Sequence, residues 1–401
     1  MAVDGGVWVG IDAGKFTHHA AAVDSQGRTL WSVKVHNTQE AAEQLVGRAA
    51  KSGAVVRWAV DLTSPAASLL LAVLISGGQQ VVYVPGRVVN RMSGAFAGEG
   101  KTDAKDARVI AETARLRRDL AVVKNPDELI VELSRLVAHR ADLMADWVRG
   151  INRLRDLLTS VFPGLERAFD YSKRSPLILV ARFCTPHDIR EAGRDGLSAY
   201  LRDHKAHRPS IPAMVSKALD AAAGQTLQLP GQATTAMLIT TQARKLLDLD
   251  REIKDLDKLI TSRFRTHTQA DIIESLPGMG PILGAEFLAA TAGDLAAFAN
   301  SGRLAAYAGL VPVPADSGRR TGIMHRPKRY HRGLRRVFYM AAMANLRIDG
   351  PSRTYYQRKR TERKGHNQAL IALARRLVDV LWALLRDNRP FELTPPNALA
   401  A

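Results

Sequence analysis

At 401 residues the chain exceeds one typical domain, so its length predicts two folded units and a connecting segment. Hydrophobic residues at 46% and charged residues at 24% supply real cores and exclude a compositionally disordered chain. The excess of 57 Lys and Arg over 39 Asp and Glu, a formal net charge of +18, attracts polyanions, nucleic acid first among them. No membrane role is expected, because the most apolar run, residues 67–75, is too short to cross a bilayer. The N-terminus has no signal-peptide pattern. Cys184 is the only cysteine, which excludes an intrachain disulfide and a cysteine-cluster zinc site. A cytoplasmic protein is the expectation.

Residues 7–13 read VWVGIDA, an apolar strand that runs into Asp12. Two further strands, 20–24 and 29–35, are joined by a Ser25-Gln26-Gly27 turn. A helix over 38–50 starts at the capping residue Thr38, and a strand over 55–60 runs into a second aspartate, Asp61. Ser64-Pro65 opens a helix to about 74, and 80–84 is a fifth strand. A mixed sheet with helices packed on it follows from this order, and such folds gather their sites at strand ends. Residues 86–101 are polar and glycine-rich, and Thr102 then caps a helix carrying Asp103 and Asp106 on one face.

Helical spacing continues to about 158, broken by Pro126, with 134–158 a long amphipathic helix. Short helices around Pro176, Pro186, Pro209 and Pro212 fill 160–230. In 235–261, Leu238, Leu246, Leu249, Ile253, Leu256 and Ile260 line one side, as in a helical hairpin or a coiled-coil partner surface. The expected domains are 1–158, an α/β acidic-cluster domain with its trailing helix; 159–265, a helical linker and coiled-coil-like oligomerisation segment; and 266–401, a mainly helical C-terminal domain.

Bringing the two strand ends beside the helix of Asp103 and Asp106 would create an anionic pocket in which carboxylates repel unless cations neutralise them. Magnesium suits it, being a hard ion that takes carboxylate and phosphate oxygens. Taken singly, each aspartate is also explained as a turn former or a complement to a helix dipole. Lys101 and Lys105 flank the helical pair, as phosphate contacts or as solvated lysines.

LPGMG at 276–280 matches a helix-hairpin-helix turn, in which Gly278 and Gly280 let backbone amides face a phosphate; a plain helix joint is the alternative. From Ser317 to Arg376 the chain has 17 Lys or Arg against only Asp349 and Glu362. That imbalance points to a nucleic-acid surface, with Arg319, Arg320, Arg326, Lys328, Arg329, Arg332, Arg335, Arg336, Arg358 and Lys359 as candidate contacts. Tyr355 and Tyr356 lie between Arg353 and Arg358, suited to stacking on a base or to packing on the last helix. Ser317 stands beside Gly318 with Arg319 and Arg320 following, as a nucleophile or simply an Asp-Ser-Gly turn.

Together these segments resemble the DEDD-type insertion-sequence transposases, also described as bridge-RNA-guided recombinases. The resemblance rests on VGIDAGK around Asp12, the strand into Asp61, KTDAKDA at 101–107, LPGMGP, YAGLVP at 307–312, DSG at 316–318, Gly333-Leu-Arg-Arg, Tyr355, Arg358 and the helix with Ala374-Arg375. It covers nearly the whole chain, and KTDAKDA followed much later by GLVP and SG is specific in that order. It implies a RuvC-like, ribonuclease H-like N-terminal domain whose magnesium ligands are Asp12, Asp61, Asp103 and Asp106. The second position is usually glutamate, so Asp61 keeps the charge with a shorter reach. It further implies Ser317 as a nucleophile linked to a DNA 5′ phosphate, a structured guide RNA, donor and target DNA, and dimers assembling into a tetramer. The rival functions are a metal-dependent nuclease or Holliday-junction resolvase using water, and a non-catalytic nucleic-acid-binding protein.

Overall fold

The computed structural model describes residues 6–53, 55–61, 65–94, 102–123, 127–314 and 322–393. The chain divides into two compact units, 1–126 and 127–401.

In the first unit, β1 (Gly6–Asp12), β2 (Thr17–Val23) and β3 (Thr29–His36) form an antiparallel meander. Next come α1 (Gln39–Ala50), β4 (Val55–Val60), α2 (Ser68–Ser76), β5 (Val81–Tyr83), α3 (Gly86–Ser93), α4 (Asp103–Leu116) and β6 (Ala121–Val122). β4 lies parallel to β1, β5 parallel to β4, and β6 antiparallel to β5, so the sheet order is β3-β2-β1-β4-β5-β6. This mixed sheet, followed by a helical unit, agrees with the expected α/β N-terminal domain and mainly helical remainder.

Alternation along β1 sends Val7, Val9 and Ile11 into a core shared with Leu45, Leu70 and Leu74 of α1 and α2. Trp8 goes to the opposite core, with Val109, Ile110 and Ala111 of α4. Gly10 lies on that second face, and α4 is seated directly on it. A Cβ at Gly10 would stand 2.2 Å from both the Ala107 carbonyl oxygen and the Ala111 nitrogen. The caps read from the sequence form as expected, Thr38 accepting from the Ala41 amide and Thr102 from the Lys105 amide. Part of the expected glycine-rich loop is instead the helix α3. Its Val88, Val89 and Met92 recur at helical spacing and pack into the α4 core.

The second unit is built on two long helices, α5 (Glu128–Val161) and α10 (Gln232–Phe264). They run antiparallel, as the pairs Glu132–Arg263 at 2.9 Å and Arg140–Asp257 at 2.5 Å show. Gly150 lets them approach, since a Cβ there would stand 2.8 Å from Leu246 Cδ2. Between them in sequence lie α6 (Pro163–Ala168), α7 (Arg174–Val180), α8 (Pro186–Asp203) and α9 (Ile211–Ala223), whose core includes Leu158, Phe162, Tyr171 and Leu197. After α10 come α11 (Ala270–Ser275), α12 (Pro281–Thr291), α13 (Ser301–Tyr307), the pair β7 (Val313–Pro314) and β8 (Met324–His325), then α14 (Arg332–Asn345), α15 (Pro351–Thr361) and α16 (His366–Arg386). Phe264, Phe287, Phe338 and Leu373 centre their core.

One expected boundary shifts here, and one open reading is decided. The boundary expected at 158 falls inside α5, which packs on α10 and therefore belongs with the helical unit. Of the two readings of the 235–261 stripe, a helical hairpin or a coiled-coil partner surface, the hairpin is the one that forms, with α5. Leu246, Ile253 and Ile260 are buried, while Met237, Leu238 and Leu259 are the exposed large apolar residues of α10. No described helix is long and apolar enough to cross a membrane.

Gly10→Val should destabilise the chain by about 1–3 kcal/mol through overpacking, read as a lowered urea midpoint. An unchanged midpoint would show that α4 does not rest on Gly10.

Candidate metal centre and nucleic-acid interface

The parallel register pairs Ile11 with Val60, so Asp12 and Asp61 are the next residues of two neighbouring strands. Alternation from Trp8 through Gly10, and from Ala59, puts both aspartates on the face that carries α4. Ala107 touches Gly10, so Asp106 immediately precedes the contact and Asp103 sits one turn earlier, in the first turn of α4. The first unit thus gathers the three segments that carry the aspartates at one end of the sheet.

Asp61 is the strained member. Burial pushes its carboxyl above the usual aspartate range, hydrogen bonds from the backbone amides of Asp61 and Ala13 oppose this, and the charge of Asp106 adds to the rise. Its Oδ1 is buried without a hydrogen-bond partner. A buried, unpartnered carboxylate oxygen beside a second carboxylate fits a cation, which would supply the missing contact and cancel the repulsion.

The four side chains do not converge tightly. Among the described residues, the group of three His, Cys, Asp or Glu side chains with all ligand atoms within 4.8 Å is His187, Asp188 and Glu191. This cluster is capable of coordinating a divalent ion and was not anticipated from the sequence; the signal is its spacing along one helix face. It lies in the opening turns of α8, capped by Thr185, with His187 and Glu191 exposed. Acidic groups there also complement the helix dipole.

In the second unit, Gly278 adopts φ +82°, and a Cβ there would meet the Ala341 carbonyl oxygen at 2.5 Å. Asn345 of α14 donates to the Pro277 carbonyl at 2.6 Å, locking the turn. Gly278 therefore serves packing between helices, whereas Gly280 is exposed and caps α12. Gly309 of the YAGLVP segment has the Tyr330 ring against it, so a Cβ would stand 2.4 Å from that ring. Ser317, Arg319 and Arg320 follow β7 in sequence and, like Lys101, lie outside the described residues.

Of the other candidate contacts, Arg326, Lys328, Arg329 and Arg332 are exposed. Arg326 donates to the Tyr330 hydroxyl at 2.8 Å, and Arg335 lies 5.0 Å from the Tyr330 ring centroid. Arg336 pairs with Glu286, and Lys359 with Glu362 at 2.8 Å. Arg358 stands over Tyr355 at 5.1 Å. Lys105 is half-buried on α4.

A family profile described as "Transposase" matches residues 9–163, and one described as "Transposase IS116/IS110/IS902 family" matches residues 270–357. The chain is 54% identical to the uncharacterized 44.8 kDa protein of insertion element IS116 from Streptomyces clavuligerus, over 97% of each. The chain belongs to the IS116/IS110/IS902 transposase family. The transposase is also 46% identical to the uncharacterized 42 kDa protein of IS900 from Mycobacterium paratuberculosis, over 98% of this chain and 99% of that one. With the uncharacterized 43.6 kDa protein of IS110 from Streptomyces coelicolor it shares 34% identity, over 98% and 97%. As a transposase it is a DNA-cleaving enzyme of a mobile element.

Because folded Asp61 holds its proton more tightly than the unfolded chain, with its ordinary value of 3.8, its contribution to stability is present at low pH. That contribution is lost as pH rises from 3.8 through the raised folded value. Metal-free Asp61→Asn should therefore melt above the parent at pH 7, with the difference closing in acid. A variant that melts lower at pH 7 would mean that the carboxylate is already satisfied.

Proposed function

We propose that the transposase cuts DNA strands of its insertion element by metal-dependent phosphodiester cleavage at Asp12, Asp61, Asp103 and Asp106, with Mg2+ as the ion. The observation that carries this reading is the buried, unpartnered Asp61 Oδ1 beside Asp106. A bound divalent ion supplies Lewis acidity for the phosphate and lowers the pKa of an attacking hydroxyl or water. The protein's part is positional. Asp12 and Asp61 project from adjacent strand ends, and Asp103 and Asp106 are presented by a helix held against Gly10. Lys101 and Lys105 flank that helix start and are assigned to the DNA backbone. In the second unit the exposed Arg326, Lys328, Arg329 and Arg332 are assigned to phosphates, and the same role is assigned to Arg319, Arg320, Arg335, Arg336, Arg358, Lys359 and the Gly278–Gly280 turn.

Attack by water is the simpler form of this reading, because it asks for no group beyond the four aspartates and a bound ion. Attack by Ser317 is the second form, favoured by the match of residues 270–357, which spans the DSG segment. It would leave a serine-linked 5′ phosphate and a free 3′ hydroxyl, as strand exchange requires. Under that form we also infer a structured guide RNA, paired donor and target DNA, an assembly of dimers into a tetramer, and a cytoplasmic setting where the DNA is.

With Mg2+, the element's RNA and both DNA substrates, the parent should cut, and Asp12→Asn should lower the rate by about 10²-fold or more, comparable to losing one electrostatic stabiliser. Cutting that persists in a chelator sinks the metal-centre reading. Ser317→Ala separates the two forms. Retained cutting with no protein–DNA adduct identifies water, whereas lost cutting with an adduct on the parent's Ser317 identifies the serine.

A further inference from the structure

Two adjoining clefts lie between α15 and α16, and neither belongs to the centre described above. One, of about 450 Å³, is polar and is lined by Tyr355, Arg358, Ala372, Arg375, Arg376 and Asp379. The other, of about 580 Å³, is mainly apolar, with Leu377, Val380, Leu384 and Phe391 on its walls. Tyr355, Arg376 and Asp379 line both, so the two clefts share a wall.

The charge of the polar cleft is positive. Desolvation would raise the Asp379 carboxyl, but hydrogen bonds from Arg375 and Ser301 hold it below its ordinary range, so it is ionised. Three guanidinium groups thus face one carboxylate. Arg375 Nη1 pairs with Asp379 Oδ1 at 2.5 Å, which anchors that guanidinium in the cleft wall. Arg358 and Lys359 stand 5.1 and 5.4 Å from the Tyr355 ring centroid, which fixes that ring at the boundary.

An anion subsite joined to an apolar one of this size fits a phosphate with an attached base, and a paired base inside a duplex cannot enter it. We propose that the two clefts capture one unpaired DNA nucleotide, its phosphate on Arg358, Arg375 and Arg376 and its base against Leu377 and Val380. The inference rests on the nucleic-acid-binding reading of this unit but not on the metal centre. It gives the unit a means of holding strands opened during exchange, separate from general attraction to duplex.

The test is equilibrium binding of the full chain, without magnesium, to a DNA duplex carrying a single-nucleotide bulge of 2-aminopurine and to its fully paired counterpart. The bulged duplex should bind about tenfold tighter, the scale of one captured base, with a change in 2-aminopurine emission. Arg376→Ala, and separately Ser352→Trp to fill the apolar cleft from its rim, should abolish the preference and leave paired-duplex affinity within about twofold. Circular dichroism melts confirm that each variant is folded. Equal affinity for the two duplexes overturns the proposal, as does an equal loss on both in the variants, or a preference that survives Ser352→Trp. Tenfold tighter binding of the same bulge in RNA overturns the assignment to DNA. Repeating the assay in Asp12→Asn separates outcomes, because failure of the metal centre abolishes cutting and leaves the bulge preference intact.

Discussion

The first unit depends on the contact between the backbone of α4 and the bare Cα of Gly10. A helix normally stands off a sheet by the thickness of two side-chain layers. Here a missing Cβ lets Ala107 and Ala111 touch the strand itself. Asp106 is consequently carried to the ends of β1 and β4, close enough for its charge to raise the proton affinity of Asp61. Packing energy from Val109, Ile110 and Ala111 against Trp8 holds together groups that would otherwise separate. The site is thus electrostatically frustrated in the metal-free chain, and the hydrophobic core bears the cost.

Much of this centre was legible because its signals are local. Two apolar runs each ending in aspartate, and two aspartates three apart after a threonine cap, are visible in any single reading of the chain. The close approach at Gly10 was not legible, since a glycine in a strand has many explanations and its neighbour lies almost a hundred residues away. The α5 boundary was misplaced for the same reason. Periodicity reveals an apolar stripe but not which helix covers it, so the face of α10 that meets α5 reads equally as a seam for another chain. The nucleophile role proposed for Ser317 rests on the order of motifs and not on its surroundings.

The basic C-terminal segment shows a related limit. Its charge surplus is real, yet counting residues treats every cation as available. Arg336 is engaged by Glu286, Glu362 gathers Lys359 and Lys364, and Arg335 is fixed between Tyr330 and the Gly309 carbonyl. Part of the charge therefore shapes the unit before any nucleic acid arrives. Those pairs also resist collapse of a surface that would otherwise repel itself.

The antiparallel hairpin of α5 and α10 has a mechanical consequence. At 34 and 33 residues, each helix is about 50 Å long, and the two are tied by ion pairs and by close contact at Gly150. A double strut of this kind bends little, so the two helical clusters packed along it are kept at a fixed spacing. The hairpin itself is longer than one turn of duplex DNA, about 34–36 Å. A duplex laid along it would run past one full turn before reaching the end of the strut.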